Sequence, residues 1–241
     1  MTSDGSGSAN GESASEQDES TDLTLSIRGV RTEPGDVSGE MKVILNTTRG
    51  EITTHLRPCE GKTGAVVFLG GAGGGVSGPA NKVYERLGEA VVPDGVTSLR
   101  VEYRAAGEFE ESVADALAGV SFLKGIGATE VAMVGHSFGG AVAIKSAELA
   151  ELVTAVAALS SQRFGTQTVE ELKKPLLLIH GSNDEILDQA ASKDIFERAE
   201  QPKRLEILEG GGHGLLEVAD DVHDLLHEFI TLAVGASSTE P

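Results

Sequence analysis

Residues 131–147 read VAMVGHSFGGAVAIKSA. The first four are small and apolar, as in a buried strand, and the last seven suit a helix. Between them stands Gly135-His136-Ser137-Phe138-Gly139-Gly140, too rich in glycine for either. A chain that crowds three glycines around one serine at a strand-to-helix corner is making a turn with no room for side chains. A Cβ at 135 or 139 would collide with neighbouring backbone, and Gly140 would let the helix pack close to the sheet.

Working outward from this corner, the same alternation recurs. Upstream, Ala65 to Leu69 is a short, wholly apolar run, as expected of a central parallel strand covered on both faces. Val83, Leu87 and Val91 have helical spacing, a strand spans 97–103, and Val113, Leu117 and Val120 are helical again. Downstream come a helix over 141–149, strands at 153–159, 175–180 and 205–208, and a short helix around Ile195. A last helix carries Leu215, Val218, Val222, Leu225, Phe229 and Leu232 on one face. Before all this, Leu23 to Ile27 alternates as a strand, Met41 to Leu45 is a second candidate and Glu51 to Leu56 a third, which suggests an antiparallel opening to the sheet. The pattern predicts an α/β fold: a doubly wound, mostly parallel sheet flanked by helices.

With 241 residues, 39% of them hydrophobic, the chain can bury one sizeable core. We read 22–234 as one domain between two disordered tails, 1–21 and 235–241, which hold almost nothing apolar. No apolar run reaches membrane-spanning length and no secretory signal opens the chain. The single cysteine, Cys59, excludes an intrachain disulfide and reads as a small buried hydrophobe, so a cytoplasmic protein is expected. Formal net charge is −19; six acids fall within residues 1–22, and the remaining excess is spread along the chain. Such a chain does not suit a nucleic acid partner, since phosphate binding needs clustered Lys and Arg. The acidity suits a solubilising surface of the halophilic kind, with a basic partner as the other explanation.

In a doubly wound sheet, ligands sit at the carboxyl ends of the strands, where Ser137 is placed. Gly135-His136-Ser137-Phe138-Gly139 fits G-x-S-x-G, a sharp turn that exposes a serine Oγ at the head of a helix. A serine hydroxyl needs a base, and the base needs an acid to orient it, in the chain order Ser, acid, His. Strand 175–180 runs into Gly181-Ser182-Asn183-Asp184-Glu185, which makes Asp184 the candidate acid; Glu185, Asp188, Glu209 and Glu217 are less well placed. Asp188 fits a helix-capping role. Strand 205–208 runs into Glu209-Gly210-Gly211-Gly212-His213-Gly214, a glycine loop suited to bringing the His213 ring to a fixed place. Oxyanion donors are expected from the Phe138 amide and from the loop Gly70-Gly71-Ala72-Gly73-Gly74-Gly75, with Ala72 first and Gly71 second. His180 reads as structural, His136 as packing under the corner, and His55, His223 and His227 as surface residues.

Together LGGAGGG (69–75), GHSFGG (135–140), HGSNDEIL (180–187) and GGGHGL (210–215) resemble the α/β-hydrolase family, specifically its small dienelactone-hydrolase-like group, over about residues 30–235. The resemblance implies a carboxylic ester hydrolase acting on a small acyl substrate without cofactor or metal. Two departures stand out. Gly70-Gly71 replaces a frequent His-Gly, and Ser137 replaces the cysteine nucleophile of the dienelactone hydrolases proper. Only residues 160–174 separate strand 153–159 from strand 175–180, too few for the cap domain that many relatives insert there, so an open site is expected. Gly71, Phe164, Ile186 and Leu215 are candidate substrate contacts. Arg104 is another, for a substrate carboxylate, unless a neighbouring acid claims it.

Two other readings compete. Gly73 to Gly78 matches G-x-G-x-x-G, with Asp94 and Glu102 downstream, as in dinucleotide-binding oxidoreductases. The match begins several residues after its strand, whereas the fingerprint should form the turn itself. A non-catalytic binding protein of the same fold is the other, and the complete set Ser137, Asp184 and His213 speaks against it.

Overall fold

The computed structural model describes residues 24–235. Among these residues nine strands form one sheet in the order β1-β2-β3-β5-β4-β6-β7-β8-β9. An antiparallel meander of β1 (Ile27–Pro34), β2 (Met41–Thr47) and β3 (Gly50–Arg57) opens it. β3 lies antiparallel to β5 (Val96–Glu102). From there β4 (Gly64–Leu69), β6 (Glu130–His136), β7 (Val153–Leu159), β8 (Leu176–Gly181) and β9 (Lys203–Leu208) run parallel with β5.

Helices cover both faces, which is why β4 is buried at every position. Val66 and Phe68 enter the layer filled by α1 (Pro79–Ala90) and α5 (Ala219–Val234), through Val83, Leu87, Leu226 and Ile230. Val67 and Leu69 enter the opposite layer, filled by α2 (Phe109–Gly125) and α3 (Phe138–Leu149). A shorter helix, α4 (Ala190–Arg198), adds Ile195 to that second layer. Between β7 and β8 the chain forms only a single 3-10 helix, Val169–Glu171, so among the described residues no cap domain is inserted there. Among the described residues no helix is long and apolar enough to cross a membrane.

One topological feature positions the site. After β4 the chain moves to β5 on one side and returns to β6 on the other. The loops that follow β4 and β6 therefore diverge, leaving a crevice at their carboxyl ends, where open α/β sheets bind ligands.

The structure corrects several expectations. Among the described residues the first strand is β1, from Ile27; of the expected strand 23–27, residues 24–26 are not strand and Leu23 lies outside the described residues. Leu25 and Ile27 alternate because they pack against the core beside α2. The strand proper is an edge exposed along most of its length, so its sequence carries no apolar pattern. Leu215 precedes α5 in a left-handed conformation. Leu232 is 81% exposed, because the buried stripe of α5 is Val222, Leu226, Ile230 and Val234 and a residue two beyond Ile230 lies about 200° around the helix. His55 is buried on β3; burial, reinforced by the Arg100 charge, lowers its pKa. The tails lie outside the described residues except for Gly235.

Candidate active site

The corner at residues 135–140 behaves as its glycines require. Ser137 adopts φ 57°, ψ −117° between β6 and α3, a region that L-residues rarely occupy and that costs about 1–3 kcal/mol. Its N–H is held on the Leu159 carbonyl of β7 at 2.8 Å. A Cβ at 135 would overlap the Gly139 carbonyl, and one at 139 would overlap the carbonyls of Leu69 and Gly70. The elbow is thus pressed against the end of β4, and glycine at both positions is a packing necessity. Phe138 is the first residue of α3, where helix N–H groups have no partner within the helix. Its ring is buried in edge contact with Tyr103 and Phe109, each at 6.0 Å between centroids.

Two loops from distant sequence meet this serine. Ser137 Oγ lies 3.1 Å from His213 Nε2, and His213 Nδ1 lies 2.8 Å from Asp184 Oδ2. The Asp184 side chain is buried, whereas that of His213 is partly exposed. Burial alone would raise the Asp184 carboxyl pKa, but N–H donors from Leu187 (2.8 Å), His213 and Ile186 (2.9 Å) outweigh it and hold the group below its ordinary value. The acid thus stays ionised while buried. The aspartate loop is bound to the histidine loop through Asn183 N–H on Gly211 O at 2.9 Å, and Gly181 allows it because a Cβ there would overlap the Gly211 carbonyl.

His136, next to the serine, has a part that the sequence did not suggest. Its Nε2 donates to the His213 carbonyl at 2.9 Å, and the two rings lie 4.9 Å apart. Burial pushes its pKa down to about 4, so it is a neutral donor near pH 7. A second brace comes from α1, whose Ala80 N–H donates to the Gly214 carbonyl at 2.8 Å. It rests on an unusual start to that helix, where Ala80, Asn81 and Lys82 have φ of 47°, 55° and 57°.

The glycine loop after β4 lies over the serine. A Cβ at Gly71 would stand 3.9 Å from that of Ser137. Gly71 and Gly74 form a tight bridge, so the stretch folds back on itself before α1 begins at Pro79. It is no strand-to-helix phosphate turn, and Asp94, which the dinucleotide reading needs, is engaged by His227 at 2.9 Å. A cleft of about 350 Å³ opens between this loop and the histidine loop, lined by Gly71, Val76, Pro79, His136 and Gly214 among others.

Of the expected substrate contacts, Phe164 is 60% exposed and packs on Phe109 at 5.4 Å, and Ile186 is 72% exposed on the turn that holds Asp184. Two others are corrected. Leu215 is fully buried in the core layer with Phe68 and Leu226, because its left-handed backbone turns the side chain inward; its neighbour Leu216 is instead 64% exposed. Arg104 has its guanidinium committed to Asp115 (2.5 Å), Glu111 (2.9 Å) and the Arg49 carbonyl (2.6 Å), so it ties β5 to α2. The buried Asp115 had no apolar signature that would announce such a pair. Asp188 accepts the Ala190 N–H at 2.8 Å at the start of α4, while the cap position itself is held by Gln189, which makes no side-chain cap bond.

The fold matches solved α/β hydrolases over most of the chain. A dienelactone hydrolase from Anabaena variabilis superposes with a TM-score of 0.70 at 20% identity, covering 81% of this chain and 98% of that one. An esterase from Pyrococcus furiosus gives 0.70 at 18% identity, covering 81% and 91%. The chain has the α/β-hydrolase fold. A sequence model of the serine aminopeptidase family (S33) matches residues 149–218, the stretch that carries Asp184 and His213. The α/β hydrolase domain-containing protein 17B of Xenopus tropicalis is 32% identical over 63 residues, 26% of this chain, and the human one 30%. The match spans about a fifth of those curated relatives' length, 22% in each case.

Proposed function

We propose that this protein is a serine hydrolase that cleaves a carboxylic ester by way of an acyl-enzyme. In this reading Ser137 is the nucleophile, His213 the general base and then acid, and Asp184 the residue that fixes the imidazole tautomer and stabilises the imidazolium. The observation that carries it is the continuous line Ser137 Oγ–His213–Asp184, with contacts of 3.1 and 2.8 Å, at the crevice between β4 and β6. With Nδ1–H given to the carboxylate, Nε2 is left to take the serine proton.

As the hydroxyl attacks the ester carbonyl, negative charge develops on the carbonyl oxygen. The Phe138 N–H at the head of α3 and the Ala72 N–H in the loop over the serine are the donors assigned to it, with Gly71 holding that loop close. His213 then passes its proton to the departing alcohol, and a water activated by the same imidazole releases the acid. The small-molecule substrate reaches Ser137 from an open, uncapped edge, with Phe164 and Ile186 as apolar contacts and the 350 Å³ cleft on the other flank. The esterase and dienelactone hydrolase likenesses support an ester as the bond cleaved.

The test is covalent labelling with a fluorophosphonate, followed by a panel of p-nitrophenyl esters of rising chain length, a lactone and a peptide anilide. Labelling at Ser137 with turnover of an ester is expected. No labelling of the folded protein would overturn the hydrolase reading, and turnover of the anilide alone would replace the ester with a peptide.

A further inference from the structure

His180 lies one residue before the end of β8, four residues before Asp184, and has no part in the steps above. Its side chain and that of Asp184 are both completely buried. Its Nε2 lies 2.9 Å from the Leu187 carbonyl oxygen and 3.1 Å from Asp184 Oδ2. Both neighbours are acceptors, so Nε2 carries the hydrogen. Its Nδ1 lies 2.7 Å from Ser192 Oγ in α4, which then donates its hydroxyl hydrogen to the ring. Every polar atom of the imidazole is therefore assigned, and the ring cannot turn over without losing contacts at both ends.

We propose that His180 is a positioning residue for the Asp184 carboxylate, holding the 184–187 turn and presenting its Nε2–H end to the oxygen that His213 uses. The inference rests on the Ser137–His213–Asp184 reading and extends it. Leu187 is the link: its C=O is held by His180, while its N–H and that of Ile186 hold Asp184 Oδ1. Oδ2 in turn stands between two imidazoles, His213 Nδ1 at 2.8 Å and His180 Nε2 at 3.1 Å. An apolar residue at 180 could fill the space, but the Leu187 carbonyl and the Ser192 hydroxyl would lose their partner.

The arrangement has an electrostatic consequence. The positive end of the His180 N–H dipole offsets part of the charge on Oδ2. Without it, the carboxylate stabilises the His213 imidazolium more strongly, and His213 gives up its proton only at higher pH. The titratable groups gathered around His213 are Asp184, with His180 behind it, His136 from the elbow, and Glu217, whose carboxylate accepts the Gly212 N–H at 3.0 Å. Of these, only Asp184 is contacted by His180.

The experiment measures the rate of fluorophosphonate labelling of Ser137 against pH in the full chain, since this attack needs His213 as free base whatever the natural substrate. In His180→Phe the acid midpoint should move up by about 0.5–1 pH unit, with a slower plateau. In His180→Gln, whose side-chain amide N–H can replace Nε2–H, the midpoint should stay at the wild-type value. A folded His180→Phe that labels slowly but with the wild-type midpoint would reduce His180 to packing and overturn the proposal, as would Gln shifting as far as Phe. Should His180→Phe not fold, the smaller His180→Leu decides. It equally lacks the N–H, so an upward shift supports the proposal and an unmoved midpoint overturns it. Failure of the wild type to label at any pH sinks the parent reading, an outcome distinct from labelling with unmoved midpoints.

Discussion

Asp184 Oδ2 and His213 Nδ1 lie 2.8 Å apart across 29 residues of chain, and four residues further along Asp188 Oδ1 accepts the Ala190 N–H at 2.8 Å. The two neighbouring aspartates thus face different tasks, and substitution should separate them. Asp184→Asn should keep the fold and lose on the order of 10⁴-fold in kcat, because the imidazole loses the partner that fixes its tautomer. Asp188→Ala should cost about 1 kcal/mol, as the loss of an acceptor for the first N–H of α4, and leave kcat near wild type. Rates and melting temperatures of both variants check this, and an inactive Asp188→Ala beside an active Asp184→Asn would reverse the assignment.

Ser137→Ala removes the proposed nucleophile from a turn whose geometry depends on its glycines. Ester turnover should fall by roughly 10⁴-fold or more, and fluorophosphonate labelling should vanish. Because Ser137 has φ 57°, Ser137→Gly should be equally inactive yet at least as stable as Ser137→Ala, since glycine adopts that φ without steric cost. Thermal melts of the two variants provide the comparison.

His136 gives a pH signature. Burial places its pKa at about 4, against an ordinary 6.5. The unfolded chain therefore takes up this proton first. The associated stability is full above pH 6.5 and is lost as pH falls toward 4, by about 3 kcal/mol at most. His136→Gln should flatten the dependence of the urea midpoint on pH between 6.5 and 4. An equal slope in both proteins would show that His136 carries no such linkage.

The start of α1 makes a prediction opposite to ordinary helix rules. Lys82 is exposed with φ 57°. In a right-handed helix, Lys82→Gly would cost up to about 1 kcal/mol. In the left-handed turn it should stabilise by a few tenths to about 1 kcal/mol by relieving steric strain. The sign of the change in chemical-denaturation midpoint distinguishes the two.

Net charge offers a test of the surface reading. With −19 spread along the chain, added KCl should screen self-repulsion and raise the melting temperature from low to molar salt. A flat or falling curve would instead favour a basic partner.

The local order of this protein was written in its sequence. AVVFL and VAMV read as central strands, because short apolar runs followed at once by glycine leave no polar face for solvent and no length for a helix. The elbow, the aspartate after strand 175–180 and the histidine in its glycine loop were legible for the same reason: each sits where a strand must end and a turn must form. What the sequence could not hold is which strands are neighbours. The strand order places β4 between β5 and β6, and with it the crevice. Pairing across tens of residues likewise decided that Arg104 belongs to Asp115 and not to a substrate, and that Leu215 faces the core while Leu216 faces out. The left-handed turn at Ala80 and the neutral imidazole of His136 depend on the same kind of information. Backbone conformation and burial at those positions are set by the elements packed against them, which a linear pattern of residue types does not specify.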